Sequence, residues 1–354
     1  MRYGIQLASP GAYDAPALAR AAEEAGLDDA FVAATGFYVS VPEMISATSR
    51  VRIGTGIIPL FHGTPFLHAS TALQLQKMAR GRFVLGVGSQ TKGQVRRMAG
   101  VTIDRPAIRS RDMIRAIRAL MAGEAYDGEY YRSDPPGGFG LDPGNDPPPP
   151  IYHSGVNALN LRIAGEVADG LVGHPIFTAR YLDEVVVPQI ADGLARANRK
   201  RPDFDLAVTP MVWVVDAEHS YAQGVQIARR ALSFYFSTRA YGGFMSLHGW
   251  DTEREAIRGV WERAQAHDTL VNPTDMEAII PDAMVKEGCL VGTAAELRDM
   301  LRDRFEGRAD TVLLYSLHDS YLRGQEEGGV SGANFLRAIE AVAPLTKKDR
   351  HQKP

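Results

Sequence analysis

The chain has 354 residues, enough for two modest domains or one large α/β barrel, and its 45% hydrophobic and 23% charged residues are typical of a globular protein. A formal net charge of −3 without a basic run argues against nucleic acid as a partner, and the single cysteine, Cys289, excludes an intramolecular disulfide and a multi-cysteine metal site. No signal peptide or membrane-spanning run is recognisable, so we expect a cytoplasmic protein that does not bind membranes.

Apolar runs of strand length alternate along the chain with longer amphipathic stretches of helix length. The apolar runs predict strands at residues 3–7, 30–33, 51–60, 83–87, 151–154, 170–172, 205–215 and 311–316. Helices are predicted at residues 15–25, 41–48, 65–79, 109–121, 158–168, 180–198, 222–235, 294–304 and 334–342. Because each strand is followed by a helical segment, the pattern predicts an α/β protein with a parallel sheet closed into a (β/α)8 barrel. An open doubly wound sheet is the alternative.

Three segments do not follow this alternation. Residues 123–150 are rich in proline and glycine and predict an excursion or a small hairpin. Residues 237–288 are expected to be irregular or short-helical and to form an insertion, and a polar C-terminal tail is expected from about residue 347. With these additions, we expect residues 1–354 to form one barrel domain.

Glycines lie at two of the predicted strand ends, where the active site of a (β/α)8 barrel is found. Gly54 and Gly56 belong to the third strand, and indicate either the close approach of a ligand or a bend in the strand. Gly86 and Gly88 belong to the fourth, but no third glycine follows at the dinucleotide-binding spacing. The polar residues just after this strand suit an anionic ligand or a solvated loop; they are Ser89, Gln90 and Lys92.

The fifth predicted strand ends in a small polar turn, residues 153–157, ahead of a helix. Such a turn suits a phosphate or another anion, although Asn157 as an ordinary N-cap explains the same residues without a ligand. The histidines lack metal-binding spacing, so we expect no metal site. Aromatic residues at 234–250 either line an apolar substrate pocket or pack the insertion against the barrel.

In this order and spacing, the motifs resemble the luciferase-like monooxygenase superfamily and, within it, the coenzyme F420-dependent oxidoreductases. The resemblance extends from about residue 2 to residue 316. It is carried by the sequences EAGLD at 24–28, RIGTGI at 52–57, GRFVLGVG at 81–88, ADG at 168–170 and VGT at 291–293.

The resemblance implies a bacterial-luciferase-like TIM barrel that holds coenzyme F420, a deazaflavin, at the C-terminal ends of its strands. It also implies a non-prolyl cis peptide bond between Gly56 and Ile57. The positions that match cofactor-binding residues of the family are Gly56, Ile57, Gly88, Ser89, Gln90, Lys92, Ser154, Gly155, Val156 and Asn157. Among them, Asn157 is expected near the phosphate and Lys92 toward the tail of the cofactor.

One departure concerns proton transfer. Members of the family often end the second strand with an acidic residue and a histidine, and here the matching residues are Ala34 and Thr35. A glutamate found after the fourth strand in some sugar-phosphate dehydrogenases of the family is replaced by Thr91. The family's proton-transfer scheme is therefore not transferable, and His174 and Thr35 remain as catalytic candidates.

The resemblance thus implies an enzyme that transfers a hydride between coenzyme F420 and a small organic substrate, as a reductase or dehydrogenase. An FMN-dependent monooxygenase on the same barrel is one alternative. A protein that binds the cofactor without turnover is another, which the replacement of the acid–histidine pair favours. We expect a small-molecule substrate as partner, and the resemblance favours a homodimer.

Overall fold

The computed structural model describes residues 1–7, 14–33, 38–135, 141, 146–267, 271, 273–317 and 329–350. The strands are β1 (Arg2–Leu7), β2 (Asp29–Val32), β3 (Arg52–Thr55), β4 (Ile58–Pro59), β5 (Phe83–Gly88), β6 (Tyr126–Asp127), β7 (Arg132–Ser133), β8 (Ile151–Ser154), β9 (Gly170–Val172), β10 (Asp205–Val208), β11 (Met211–Val214), β12 (Cys289–Gly292) and β13 (Thr311–Ser316).

The α-helices surround these strands. They are α1 (Ala15–Glu24), α2 (Ser40–Ala47), α3 (Pro65–Met78), α4 (Lys92–Ala99), α5 (Pro106–Met121), α6 (Ala158–Val167), α7 (Ala179–Tyr181), α8 (Val187–Arg196), α9 (Tyr221–Phe236), α10 (Gly242–Leu247), α11 (Asp251–Ala266), α12 (Pro273–Ile279), α13 (Asp282–Gly288), α14 (Ala294–Phe305) and α15 (Gly329–Arg350). None of the described helices combines the length and apolarity that crossing a membrane requires.

Eight parallel strands close into a barrel in the order β1, β2, β3, β5, β8, β9, β10 and β13, and β13 pairs again with β1. The predicted (β/α)8 barrel is therefore confirmed, and the open doubly wound sheet is wrong. The predicted third strand is divided after Thr55, and the bond between Gly56 and Ile57 is cis, at the position that the resemblance implies. The predicted seventh strand divides at Pro210, which lacks the N–H group that a continuous ladder needs.

Some elements differ from the sequence prediction. The segment 237–288 is not irregular or only short-helical, because it contains the 16-residue helix α11, whose buried Ile257, Val260 and Ala264 recur at helical spacing. Within 123–150, β6 and β7 pair as an antiparallel hairpin. Helix α15 extends to Arg350, so residues 347–350 of the expected polar tail are helical, and residues 351–354 lie outside the described part.

Side chains at alternate positions of the barrel strands fill the interior in layers. The layer at the N-terminal ends is charged and hydrogen-bonded; it consists of Arg2, Asp29, Arg52, Asp205 and Thr311. The next layer is apolar and buried; it consists of Phe31, Val84, Tyr152, Val172, Ala207 and Leu313. Ile57 packs on top of this apolar layer. The two layers fill the N-terminal and middle parts of the barrel. They form a floor beneath the C-terminal ends of the strands, where a site can lie.

Candidate active site

The same alternation brings a third layer of residues to the C-terminal ends of the strands. We call this layer the barrel mouth; it consists of Gln6, Gly56, Gly88, Ser154, His174, Thr209 and Tyr315. The structure thus brings together four residues that the sequence singled out from four different strand ends. Gln6 and Tyr315 were not among them.

One wall of the barrel mouth has almost no side chains. A Cβ atom on Gly88 would lie 3.0 Å from Cδ1 of Ile57 and 3.5 Å from Cβ of Ser154, so these three residues are in immediate contact. Gly88 and Ser154 are also register partners on β5 and β8. A Cβ atom on Gly56 would collide with the side chain of Gln6. Glycine at these positions therefore lets the side chains of Gln6 and Ile57 lie directly against the backbone of the barrel mouth.

Gln6 is the polar residue at the base of this space. It is 5% exposed, and its side-chain amide donates a hydrogen bond to the carbonyl oxygen of Gly56. Its side-chain oxygen is buried and has no hydrogen-bond partner among the described residues. A buried acceptor of this kind costs free energy unless a ligand or water supplies a donor, so Gln6 is a candidate binding residue.

The opposite part of the barrel mouth is aromatic. The His174 ring lies 4.9 Å from the ring of Tyr235 and 4.6 Å from that of Tyr241, measured between centroids. The Tyr235 hydroxyl donates a hydrogen bond of 3.1 Å to the hydroxyl of Tyr315. Tyr235 belongs to α9 and Tyr241 to the following turn, so aromatic residues on both sides of residue 237, where the insertion begins, pack against His174 of the barrel mouth.

His174 is a weak candidate for proton transfer in these surroundings. Burial lowers the pKa of its imidazole to about 3, so the ring is neutral near pH 7 and a poor base. Burial raises the pKa of Tyr241, and the neighbouring Tyr315 raises it further. The hydroxyl of Thr209 is already donated to the carbonyl of Gly173 at 2.7 Å. Thr35 lies outside the described residues, and its role stays a prediction.

The loop after β5 forms part of the rim. Ser89 and Gln90 are partly buried directly after Gly88, and Gln90 adopts a left-handed backbone conformation with φ 57°. Thr91 then begins α4 with a capping box, in which its side chain and that of Gln94 each bond the backbone of the other residue. Lys92 is exposed on the first turn of α4, outside the barrel mouth.

The turn after β8 forms the neighbouring part of the rim. Val156 is buried there, and its carbonyl accepts a hydrogen bond of 2.8 Å from the hydroxyl of Tyr181. Asn157 occupies the N-cap position of α6, but its side chain makes no capping hydrogen bond. The first N–H groups of α6 are therefore not satisfied by a side-chain cap, and they suit an anion together with the backbone of Gly155.

The family model of the luciferase-like monooxygenases matches residues 3–311. The chain belongs to this family. An uncharacterized protein of Mycobacterium tuberculosis is 31% identical over 318 residues, which cover 84% of this chain and 89% of that protein. A second protein of that organism, provisionally named a coenzyme F420-dependent oxidoreductase, is 28% identical over 325 residues, 85% of this chain and 91% of its own length.

Solved structures of luciferase-like enzymes share the fold. The coenzyme F420-dependent tetrahydromethanopterin reductase from Methanopyrus kandleri superposes with a TM-score of 0.74 at 18% identity, covering 97% of both chains. The oxygenating constituent of 3,6-diketocamphane monooxygenase from Pseudomonas putida, in complex with FMN, superposes with a TM-score of 0.65 at 17% identity, also covering 97% of both chains. Similarity at these identities establishes the fold alone.

The predicted site residues therefore fall into three groups in this luciferase-like barrel. Gly56, Gly88, Ser154 and His174 belong to the barrel mouth, with Ile57 beside them. The rim residues are Ser89, Gln90, Gly155, Val156 and Asn157. Lys92 lies farther out. In the part of the chain that the structure describes, no three His, Cys, Asp or Glu side chains are grouped so that they could hold a metal ion.

Proposed function

We propose that the protein is an oxidoreductase that transfers a hydride between coenzyme F420 and a small organic substrate at the barrel mouth. The observation that carries the proposal is the wall without side chains at Gly56 and Gly88, with Ile57 beside it. The relative provisionally named a coenzyme F420-dependent oxidoreductase supports the choice of cofactor.

This wall fits a flat, tricyclic ring system. A side chain at Gly88 would crowd Ile57, because even a Cβ atom would come within 3.0 Å of it. With glycine there, a planar ring can lie over this surface and contact both the backbone and the apolar side chain. The N-terminus of α6, which the Asn157 side chain does not cap, suits the phosphate of the cofactor.

When bound, coenzyme F420 supplies a ring carbon that donates or accepts a hydride and reacts poorly with oxygen. The residues of this chain bind and orient the reactants: Ile57 supports the ring, and Gln6 offers a buried acceptor. Tyr235 and Tyr241 cover the barrel mouth beside His174 and restrict the access of water, which would otherwise solvate the reacting groups. We therefore propose dehydrogenase or reductase chemistry, with reduction of the substrate as the favoured direction.

Titration of the apo protein with coenzyme F420 and with FMN tests the cofactor. We expect the dissociation constant for F420 to be at least about tenfold lower, which corresponds to roughly 1.4 kcal/mol. Tighter binding of FMN, together with oxygen consumption during turnover, would instead favour a flavin monooxygenase on the same barrel. Stoichiometric F420 binding without hydride transfer to any of a broad set of substrates would favour a binding protein without turnover.

A further inference from the structure

We propose that Tyr181 is a positioning residue for the cofactor: it holds the turn after β8 in the conformation that binds the phosphate, and the insertion at residues 237–288 holds Tyr181 in place. This inference rests on the proposed function, which it deepens by naming how the phosphate-binding part of the rim is organised. Two features carry it: a hydrogen bond from Tyr181 to this turn, and contacts that connect Tyr181 to helix α10.

The hydroxyl of Tyr181 is the group that contacts the turn. It donates a hydrogen bond of 2.8 Å to the carbonyl oxygen of Val156, and the two residues are only 4% and 6% exposed. Burial raises the pKa of Tyr181 to about 12, so the hydroxyl carries its proton near pH 7. Without this hydroxyl the buried carbonyl would lack a donor, which favours rotation of its peptide group toward water.

The same hydrogen bond fixes the direction of the next N–H group. The peptide bond between Val156 and Asn157 is trans, so its carbonyl and N–H groups point in opposite directions and the N–H group of Asn157 points away from Tyr181. Asn157 is exposed, and its N–H group makes no hydrogen bond among the described residues. Rotation of this peptide group would replace an N–H donor by a carbonyl oxygen, which repels a phosphate.

Tyr181 is itself held by its neighbours. Its backbone N–H group donates a hydrogen bond of 3.1 Å to the hydroxyl of Thr178, and its ring packs edge-on against Phe244 with 5.0 Å between the ring centroids. The hydroxyl of Thr178 is also joined to Nε2 of His248 by a hydrogen bond of 3.1 Å. Phe244 belongs to α10 and His248 follows this helix directly, so one short segment of the insertion reaches Tyr181 by two routes.

These contacts connect the insertion to the rim of the barrel mouth without passing through the wall at Gly56 and Gly88. A change at His248 should therefore alter the turn after β8 while the surface proposed for the ring system stays intact. The group that this turn would recognise is a phosphate ester on the side chain of a ring cofactor. Both F420 and FMN carry such a group, so the proposal can be tested with either cofactor.

Paired ligands with and without the phosphate test the proposal. F420 is compared with FO, which keeps the deazaflavin ring and ribityl chain but lacks the phosphate and everything beyond it, and FMN is compared with riboflavin, which lacks the phosphate alone. Fluorescence titration gives the dissociation constants. Tyr181→Phe removes only the hydroxyl, and His248→Phe removes the bond to Thr178 but keeps a ring. Tyr126→Phe is the control, because its hydroxyl bonds Asp112 in the hairpin region.

We expect the wild-type protein to bind F420 at least about tenfold more tightly than FO. Tyr181→Phe should raise the dissociation constant of F420 about tenfold, as for the loss of one hydrogen bond to a charged group, and should change that of FO less than about twofold. His248→Phe should raise the constant of F420 about threefold, again without a change for FO, because it acts on the turn only through Tyr181. FMN should lose affinity relative to riboflavin in the same order of variants, and Tyr126→Phe should change none of the constants.

Other outcomes overturn the proposal. Equal affinity of the wild-type protein for F420 and FO would show that the turn does not bind the phosphate. An equal loss for both ligands in Tyr181→Phe, or no loss, would exclude Tyr181 as the residue that positions the turn. A selective loss in Tyr181→Phe with none in His248→Phe would exclude the contribution of the insertion. If Tyr181→Phe does not fold, as judged by circular dichroism, an unselective effect or no effect of His248→Phe overturns the proposal.

Failure of the proposed function gives a different result. Wild-type protein that binds FMN but not F420 would contradict the choice of cofactor, whereas FMN and riboflavin would still test the role of Tyr181. Wild-type protein that binds neither cofactor would contradict the proposed function itself, before any variant is compared.

Discussion

The side-chain amide of Gln6 donates a hydrogen bond to the carbonyl oxygen of Gly56, across the strand that separates them. Gln6 is the last residue but one of β1 and Gly56 follows β3, whereas β2 lies between these strands in the barrel. The bond is therefore not part of the sheet ladder, and it links the polar base of the barrel mouth to the wall without side chains.

Replacing Gln6 by leucine tests this link. Gln6→Leu keeps a similar volume but leaves the buried Gly56 carbonyl without its donor, so we expect a loss of about 1–3 kcal/mol in the free energy of unfolding. Urea denaturation measures it. The control is Gln226→Leu, at an exposed residue that bonds Glu277, where the loss should stay below about 0.5 kcal/mol. Equal effects in both variants would show that the link contributes nothing to stability.

Two glycines of β5 should respond differently to alanine. A Cβ atom on Gly86 would lie 1.8 Å from the carbonyl oxygen of Thr55, which is fixed backbone, so Gly86→Ala should not yield folded protein. A Cβ atom on Gly88 would meet the end of the Ile57 side chain, which can shift. We expect Gly88→Ala to fold, as judged by circular dichroism, and to bind F420 about tenfold more weakly. Unchanged F420 binding by Gly88→Ala would argue against a ring at this wall.

The sequence predicts the strands of this barrel well, because they are short apolar runs bounded by glycine, proline and charged residues. Helix α4 was missed because it has eight residues, and its apolar residues, Val95, Met98 and Ala99, complete only one turn of helical spacing. The threonine and glutamine of its capping box, Thr91 and Gln94, were nevertheless visible at the spacing that begins a helix.

The candidate site is only partly predictable. Gly56, Gly88 and Ser154 lie at strand ends, where apolar residues give way to small and polar ones, and this change is visible in the sequence. Gln6 and Tyr315 lie inside apolar runs, and the sequence does not tell which alternate residues of a strand face the barrel interior until one of them is placed. Counting by twos from a placed interior residue would have found both.

Below the barrel mouth, the buried ion pairs of the lowest layer allow another test. Asp29 is fully buried and accepts a hydrogen bond of 2.6 Å from Arg52. Asp29→Ala removes the carboxylate that pairs with the guanidinium of Arg52, so we expect a loss of about 3–5 kcal/mol in the free energy of unfolding. Asp127→Ala, which breaks the exposed pair with Arg132, should cost less than about 1 kcal/mol. Similar losses in the two variants would contradict this ranking.

His153 should make the protein sensitive to acid. It is fully buried in β8, and burial lowers its pKa to about 4, against about 6.5 in an unfolded chain. The unfolded state therefore binds the proton more readily than the folded state. The contribution of neutral His153 to the free energy of unfolding is complete above pH 6.5 and is lost as the pH falls toward 4. We expect His153→Gln to reduce the loss in unfolding free energy between pH 7 and pH 4.5 by about 2–3 kcal/mol in urea titrations. His267→Gln, at an exposed histidine, should leave that loss unchanged, and an unchanged loss in His153→Gln would refute the assignment.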